Sequence, residues 1–270
     1  MKGYFSDIML SDTIKKNNME KKKQIISFVD AKLKMKVPYP NKSLYFLNIP
    51  ANIFQTWHTK TLPPGMQMAV NNLKASGIRF KYQLFDDNDC KEFIKNNFDE
   101  SVFNAYNSLK PGAYKADLWR YCVLYKEGGI YLDIKYFPVN AFQLKNLIER
   151  EHFCLDADNN GIYNAIMVCK PGNTVLKKAI YQIVENVKTK YYGKSCLDPT
   201  GPGLLSQYFT REEKNNMDLT HEFRVSLDYR YILYNKYYVF QSYPNYRNEH
   251  HVFKKEEHYG HLWNIRNIYN

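Results

Sequence analysis

A chain of 270 residues can bury one sizeable core and lies near the upper limit of single-domain size. Its 38 Lys and Arg against 27 Asp and Glu give a net charge of +11, which favours anionic partners such as phosphate groups, but the basic residues are scattered, with one dense run at Lys21, Lys22 and Lys23, so no nucleic-acid partner is expected. Five Cys without CxxC spacing exclude a disulfide framework and a structural zinc site, and no apolar run reaches the roughly 18–20 residues of a membrane span; a cytoplasmic protein with reduced thiols and without signal peptide or transmembrane segment is expected, any membrane contact being peripheral or made through a partner.

Residues 1–43 are polar and Lys-rich, with one amphipathic stretch from Met19 to Leu33 and a stop at Pro38 and Pro40. They are expected to form a basic N-terminal helix and linker, and residues 44–270 a single domain. Within that domain, Ile49 to Trp57 is a short apolar run bounded by turn formers and predicts the first core strand. Pro63 and Pro64 open a helix to about Ala75, and Gly77 stops it. Phe80 to Phe85 alternates as a second strand and runs into the acidic cluster Asp86, Asp87 and Asp89. Strand, helix and strand in this order predict an α/β fold with a mixed, mainly parallel sheet flanked by helices.

Asp99 to Leu109 has a helical pattern that Pro111-Gly112 interrupts. From Tyr114 to Lys126 the residues Leu118, Tyr121, Cys122 and Tyr125 recur at three- and four-residue steps, the signature of one buried helix face. Gly128-Gly129 ends it, and Ile130 to Asp133 becomes a strand. Further strands are predicted at Phe153–Leu155, Asn164–Cys169, Phe223–Leu227, Tyr231–Tyr234 and Tyr237–Phe240, and a long helix at Asn173–Lys190. The 24 Tyr and 16 Phe supply many rings, those of Tyr with a polar tip suited to a wet cleft.

Asp117 and Arg120 are three residues apart on the predicted helix, so both side chains leave one face and reach one ligand. A carboxylate that accepts from sugar hydroxyls and a guanidinium that donates to hydroxyls or phosphate suit a sugar diphosphate. Asp133 arrives at the C-terminal end of its strand, where open α/β sheets place ligands and where a carboxylate can hold a divalent cation.

The segment Lys115-Ala116-Asp117-Leu118-Trp119-Arg120-Tyr121, with Gly128-Gly129-Ile130-Tyr131-Leu132-Asp133, resembles glycosyltransferase family 32, whose members carry a DXD sugar-binding motif and include capsular sugar transferases and initiating mannosyltransferases. The likeness extends from about Ile49 to Trp263 and includes Ile53-Phe54-Gln55-Thr56-Trp57-His58-Thr59-Lys60. It implies a GT-A fold, a nucleoside diphosphate sugar as donor and a glycan or other hydroxyl acceptor, as in polysaccharide biosynthesis. Transfer of a hexose or N-acetylhexosamine with retention, and a UDP sugar in preference to a GDP sugar, follow from the same likeness. By position, it implies that Gln55 and Trp57 line the base and ribose pocket, that Asp117 and Arg120 hold the sugar, and that Asp133 faces ribose, sugar and metal. Asn164 then sits beside the sugar, Tyr131 packs at the site, and the turn Gly201-Pro202-Gly203 faces acceptor or phosphate.

One position departs from the family pattern: Lys135 stands where the second acid of the DXD is usual, and an ammonium has no lone pair for a metal. Either Mn2+ or Mg2+ is retained on Asp133, phosphates, water and His258 or His261, or the Lys135 ammonium supplies part of its charge at the donor. Retained metal is the favoured expectation, since hard cations can bind through one carboxylate plus phosphates. His258 to Trp263 resembles the family's C-terminal His-x-x-x-Ser-Trp, with Leu262 in place of Ser, and implies that Trp263 closes over the diphosphate. The alternatives are a non-catalytic relative that binds a nucleotide sugar and a basic nucleic-acid-binding protein; the latter leaves Asp117, Arg120 and Asp133 without a role.

Overall fold

Strict two-residue alternation builds the centre of the molecule. In β1 (Asn52–Thr56), Ile53 and Phe54 point to opposite faces of the sheet and enter two separate apolar clusters. The computed structural model describes residues 49–270 apart from 78, 159–160, 225–228 and 255–256. The expected helix and linker over 1–43, and the boundary at 43 and 44, lie outside the described residues, as does the end of the strand expected at Phe223–Leu227.

Pro64 opens α1 (Pro64–Ser76) in a first turn that needs no amide donor, and Gly77 closes it. β2 (Lys81–Phe85) lies parallel to β1, with Asn52 opposite Lys81, which completes the crossover unit. The acidic cluster that follows is a cap for a helix the sequence pattern did not single out, α2 (Asp87–Asn97). Asp86 accepts from the Asp89 amide at 2.9 Å and Asp89 accepts from the Asp86 amide at 3.1 Å, a reciprocal capping box. α3 (Glu100–Ser108) and α4 (Gly112–Glu127) then pack on one face of the sheet.

α4 leads through Gly128 and Gly129, at φ 63° and 127°, into β3 (Gly129–Leu132). A Cβ on Gly129 would lie 2.7 Å from the Asn52 Cβ, so only glycine lets β3 settle beside β1. A short strand that the sequence pattern also missed, β4 (Tyr136–Pro138), follows almost at once. β5 (His152–Leu155), β6 (Ile162–Cys169), α5 (Thr174–Lys188), α6 (Pro202–Ser206) and α7 (Arg211–Asn215) come next. The chain ends in β7 (Leu219–Arg224), β8 (Tyr229–Tyr234), β9 (Tyr237–Ser242), α8 (Tyr246–Phe253) and α9 (Tyr259–Asn264).

The described strands form one mixed sheet in the order β2-β1-β3-β6-β5-β7-β8-β9-β4. Parallel pairing is confined to β1 with β2, β1 with β3 and β5 with β7; the remaining pairs are antiparallel. β3 and β4 stand six strand spacings apart in that order. Laid flat, that separation is roughly 29 Å, whereas the four Cα steps from Leu132 to Tyr136 reach at most about 14 Å. The sheet therefore curls, and the link Asp133-Ile134-Lys135 straps its far edge to its middle.

Phe54, Tyr131 and Met167 pack under α4 and α5, while Ile53, Ile130, Leu132 and Ile166 fill the opposite face. All five cysteines are unpaired. Among the described residues no helix is long and apolar enough to cross a membrane.

Candidate active site

The C-terminal end of β3 is where the curled sheet opens. There a cleft of about 780 Å³ is lined by α4, by the 133–135 strap, by Asn164 of β6 and by the C-terminal helices. Asp117 and Arg120 leave α4 toward it, as the three-residue spacing requires. The Arg120 Nη2 lies 3.4 Å from Asp117 Oδ1, and its Nη1 lies 3.4 Å from Asp133 Oδ1. The three groups expected to converge do so on the floor of one cavity.

Each is held from behind. Arg120 Nη1 donates to the Asn164 carbonyl at 2.9 Å, Nε donates to the Ala116 carbonyl at 3.1 Å, and the guanidinium lies 4.4 Å over the Tyr131 ring. Asp117 accepts from Thr200 Oγ1 at 2.7 Å and from Asn164 Nδ2 at 2.8 Å. Asp133 accepts from the Tyr131 hydroxyl at 2.8 Å and from the Lys135 ammonium. Burial pushes the Asp117 carboxyl up, against the opposing pull of Arg120, Thr200 and Asn164. Burial also works to raise Asp133, but Lys135 and Arg120 outweigh it and hold that carboxyl below its ordinary range. The two neighbouring acids are thus shifted in opposite directions.

Trp57, Tyr131, Lys135, Asn164 and His258 also line the cleft. The Trp57 indole N–H is buried without a hydrogen-bond partner, and its ring stands 5.5 Å from that of His250. Gly201 and Pro202 line the wall, and a Cβ at Gly201 would crowd Asp117 Oδ2 at 3.2 Å.

Three expected residues do not reach the cavity. Gln55 is fully buried, donating to the Leu132 carbonyl at 3.0 Å and accepting from the Tyr82 hydroxyl at 3.0 Å. Both faces of β1 are covered, so Gln55 ties β1 to the end of β3 instead of meeting a base. Trp263 turns to the core and donates from Nε1 to the Tyr192 carbonyl at 2.7 Å. His261 points outward beside Glu257, 3.6 Å away.

The sequence pattern did not single out a group on the opposite wall. His221 Nδ1 meets Asp156 Oδ1 at 2.8 Å, and its ring stacks on Tyr163 at 3.8 Å with a 5° tilt. Parallel pairing of Leu155 with Thr220 brings Asp156 and His221 together, and no local pattern announces a contact across 65 residues. Arg230, Tyr246 and Lys254 complete that wall.

A resident divalent cation needs several open oxygen ligands or their nitrogen and sulfur equivalents. Both Asp133 oxygens already face donors, and the side chain two residues on is an ammonium. His258 uses Nδ1 to cap α9, accepting from the Gly260 amide at 3.1 Å. Among the described residues no group of three His, Cys, Asp or Glu side chains could hold a metal. Without donor phosphates this set does not hold the expected Mn2+ or Mg2+, and at Asp133 such an ion would compete with the Lys135 ammonium.

Residues 52–154 match the family described as the glycosyltransferase sugar-binding region containing a DXD motif. An uncharacterized glycosyltransferase of Acanthamoeba polyphaga mimivirus is 34% identical over 62% of this chain and 67% of that protein. The chain belongs to that family. This glycosyltransferase is also similar to inositol phosphoceramide mannosyltransferase 2 of Schizosaccharomyces pombe, at 25% identity over 90% of its own length and 73% of the relative's. Among solved structures, the PaToxG glycosyltransferase covers 72% of this chain and 77% of its own, with a TM-score of 0.46 and 17% identity. The run Asp133-Ile134-Lys135, which resembles a DXD motif with its second acid replaced, lies inside the matched residues.

Proposed function

We propose that this glycosyltransferase moves a hexose from a nucleoside diphosphate sugar to a hydroxyl of a glycan or glycolipid, with retention at the anomeric carbon. The observation that carries this reading is the convergence of Asp117, Arg120 and Asp133 on one cleft of about 780 Å³, a volume suited to a nucleotide sugar. Asp117 and Asn164, locked together, orient the sugar hydroxyls, and Trp57 lines the cleft where its flat ring can meet the nucleoside.

In the reaction, the bond between the anomeric carbon and the phosphate oxygen breaks and its electron pair stays on the phosphate. The acceptor oxygen bonds to the same face of the carbon, and its proton passes to that phosphate oxygen. Arg120 stabilises the charge that builds on the leaving group from a position fixed before substrate arrives. The mannosyltransferase among the relatives makes mannose the first sugar to try. Trp57 stacks equally on purine or pyrimidine, so the preference for UDP needs testing against GDP. A reducing, cytoplasmic setting suits five unpaired cysteines.

The test is a panel of UDP and GDP sugars, GDP-mannose included, read by thermal shift and by donor hydrolysis. A rise in melting temperature with at least one donor, and slow release of nucleoside diphosphate, is the expected result. No shift and no hydrolysis across the panel overturns the reading.

A further inference from the structure

We propose that the Lys135 ammonium takes the place of a divalent cation at the donor diphosphate, so that this glycosyltransferase binds and turns over its donor without metal. The inference rests on the reading of the cleft as a nucleotide-sugar site.

Lys135 is not a surface lysine that happens to lie nearby. Only 8% of it is exposed, and its backbone carbonyl accepts from the Tyr243 amide at 3.0 Å, which fixes the strap from the side of β9. Its Nζ pairs with Asp133 and is ringed by Tyr136, Tyr163 and Tyr246, at 5.1, 5.7 and 5.7 Å from their ring centres. Three aromatic faces and a carboxylate hold the charge in place, as a binding group that acts by position must be held.

The charges on the floor argue the same way. Asp117 and Asp133 are matched by Arg120 and Lys135, so the floor carries no net charge. A divalent cation placed at Asp133 would have to displace one ammonium and sit beside a guanidinium. A diphosphate placed there meets both as donors, and Arg230, Arg247 and Lys254 line the same cleft. The acid opposite, Asp156, is engaged by His221. When the glycosidic carbon–oxygen bond to phosphate breaks, the electron pair remains on the diphosphate oxygen, and Lys135 with Arg120 takes up the charge a metal would otherwise neutralise. The acceptor's proton goes to that oxygen, so Lys135 keeps its own.

The experiment measures donor binding by calorimetry and donor hydrolysis in excess EDTA and in Mn2+, for the full chain and for Lys135→Met and Lys135→Asp. The unmodified protein is expected to bind and hydrolyse within about twofold in both conditions. Lys135→Met is expected to lose about 100-fold in hydrolysis, with no recovery in Mn2+. Lys135→Asp rebuilds a second acid and is expected to bind Mn2+, seen by electron paramagnetic resonance, and to bind donor only when Mn2+ is present. A loss of about tenfold or more in EDTA by the unmodified protein, restored by Mn2+, overturns the inference and leaves the sugar-transfer reading intact. So does unchanged hydrolysis by Lys135→Met. No donor binding in either condition overturns both. The chelator arm needs no variant, so a misfolded mutant does not weaken the test.

Discussion

The floor and the roof of the cleft are built in different ways. The floor comes from α4, β3 and β6, where Asp117, Arg120 and Asn164 are all buried and each makes several hydrogen bonds to groups behind it. The roof comes from α8 and α9, neither of which has a buried residue. It is fastened at a few points: Glu249 accepts from the Gly65 and Met66 amides at 2.9 and 3.2 Å, and Tyr259 stands 5.9 Å from Tyr114. A rigid floor can aim charge before substrate arrives, while a lightly tethered roof can yield to admit it. Loss of a floor residue should therefore slow chemistry, and loss of a roof contact should weaken capture.

The largest effect is expected from Asp117→Asn, which keeps the shape and removes the charge that Arg120 leans on. Turnover should fall about 10²- to 10³-fold, measured as nucleoside diphosphate release. Near-normal turnover would mean that the floor does not act as a charge-aiming device.

Acid probes the same contrast without a mutation. Burial pulls His152, under the floor on β5, down to about 4, and its Nε2 has no partner. The unfolded chain binds that proton near pH 6.5 and the folded chain only near 4, so His152 lowers stability progressively as pH falls through that window. The cost approaches roughly 3 kcal/mol at its acid end. Urea unfolding at pH 7 and pH 4.5 should show it, and His152→Phe should reduce the difference. Partial burial likewise brings His250 in the roof to about 4, with Lys135 adding to the effect. There, protonation is expected to loosen α8 and raise KM, and by the same linkage His250 shares in the acid loss of stability.

Gly129→Ala tests how the floor is reached. Its φ of 127° and the 2.7 Å approach to Asn52 leave no room for a methyl group, and a loss of about 2 kcal/mol in unfolding free energy is expected. The smallest effect belongs to the roof. Glu249→Gln removes a carboxylate from the N-terminal turn of α1 and should raise KM about threefold to tenfold with kcat kept, by steady-state kinetics. A fall in kcat instead would mean that the roof takes part in aiming charge.

The same contrast explains what the sequence made legible. Asp117, Arg120 and Asp133 lie on a helix and the strand directly after it, so helical spacing and the diglycine turn were enough to bring them together. The wall across from them depends on pairing between distant strands, and Asp156 with His221 could not be inferred from either neighbourhood. The family resemblance put Gln55 in the base and ribose pocket together with Trp57. With both faces of β1 covered, the Gln55 amide instead secures Leu132, the residue before Asp133. His261 and Trp263 failed for a different reason: α9 is a single exposed turn or so, and its register sends His258 inward and the other two away. The curl of the sheet, which makes the cleft, was invisible until β4 was seen to pair with β9.

The strap between β3 and β4 is gripped through its main chain. The Asp133 amide donates to the Ala165 carbonyl at 2.7 Å, the Tyr136 amide donates to the Asp133 carbonyl at 3.1 Å, and Tyr243 secures Lys135. None of these bonds involves the side chain at 135. Evolution can therefore exchange an acid for an amine at that one position while the backbone trace stays put, so related enzymes could diverge in metal requirement through a single codon.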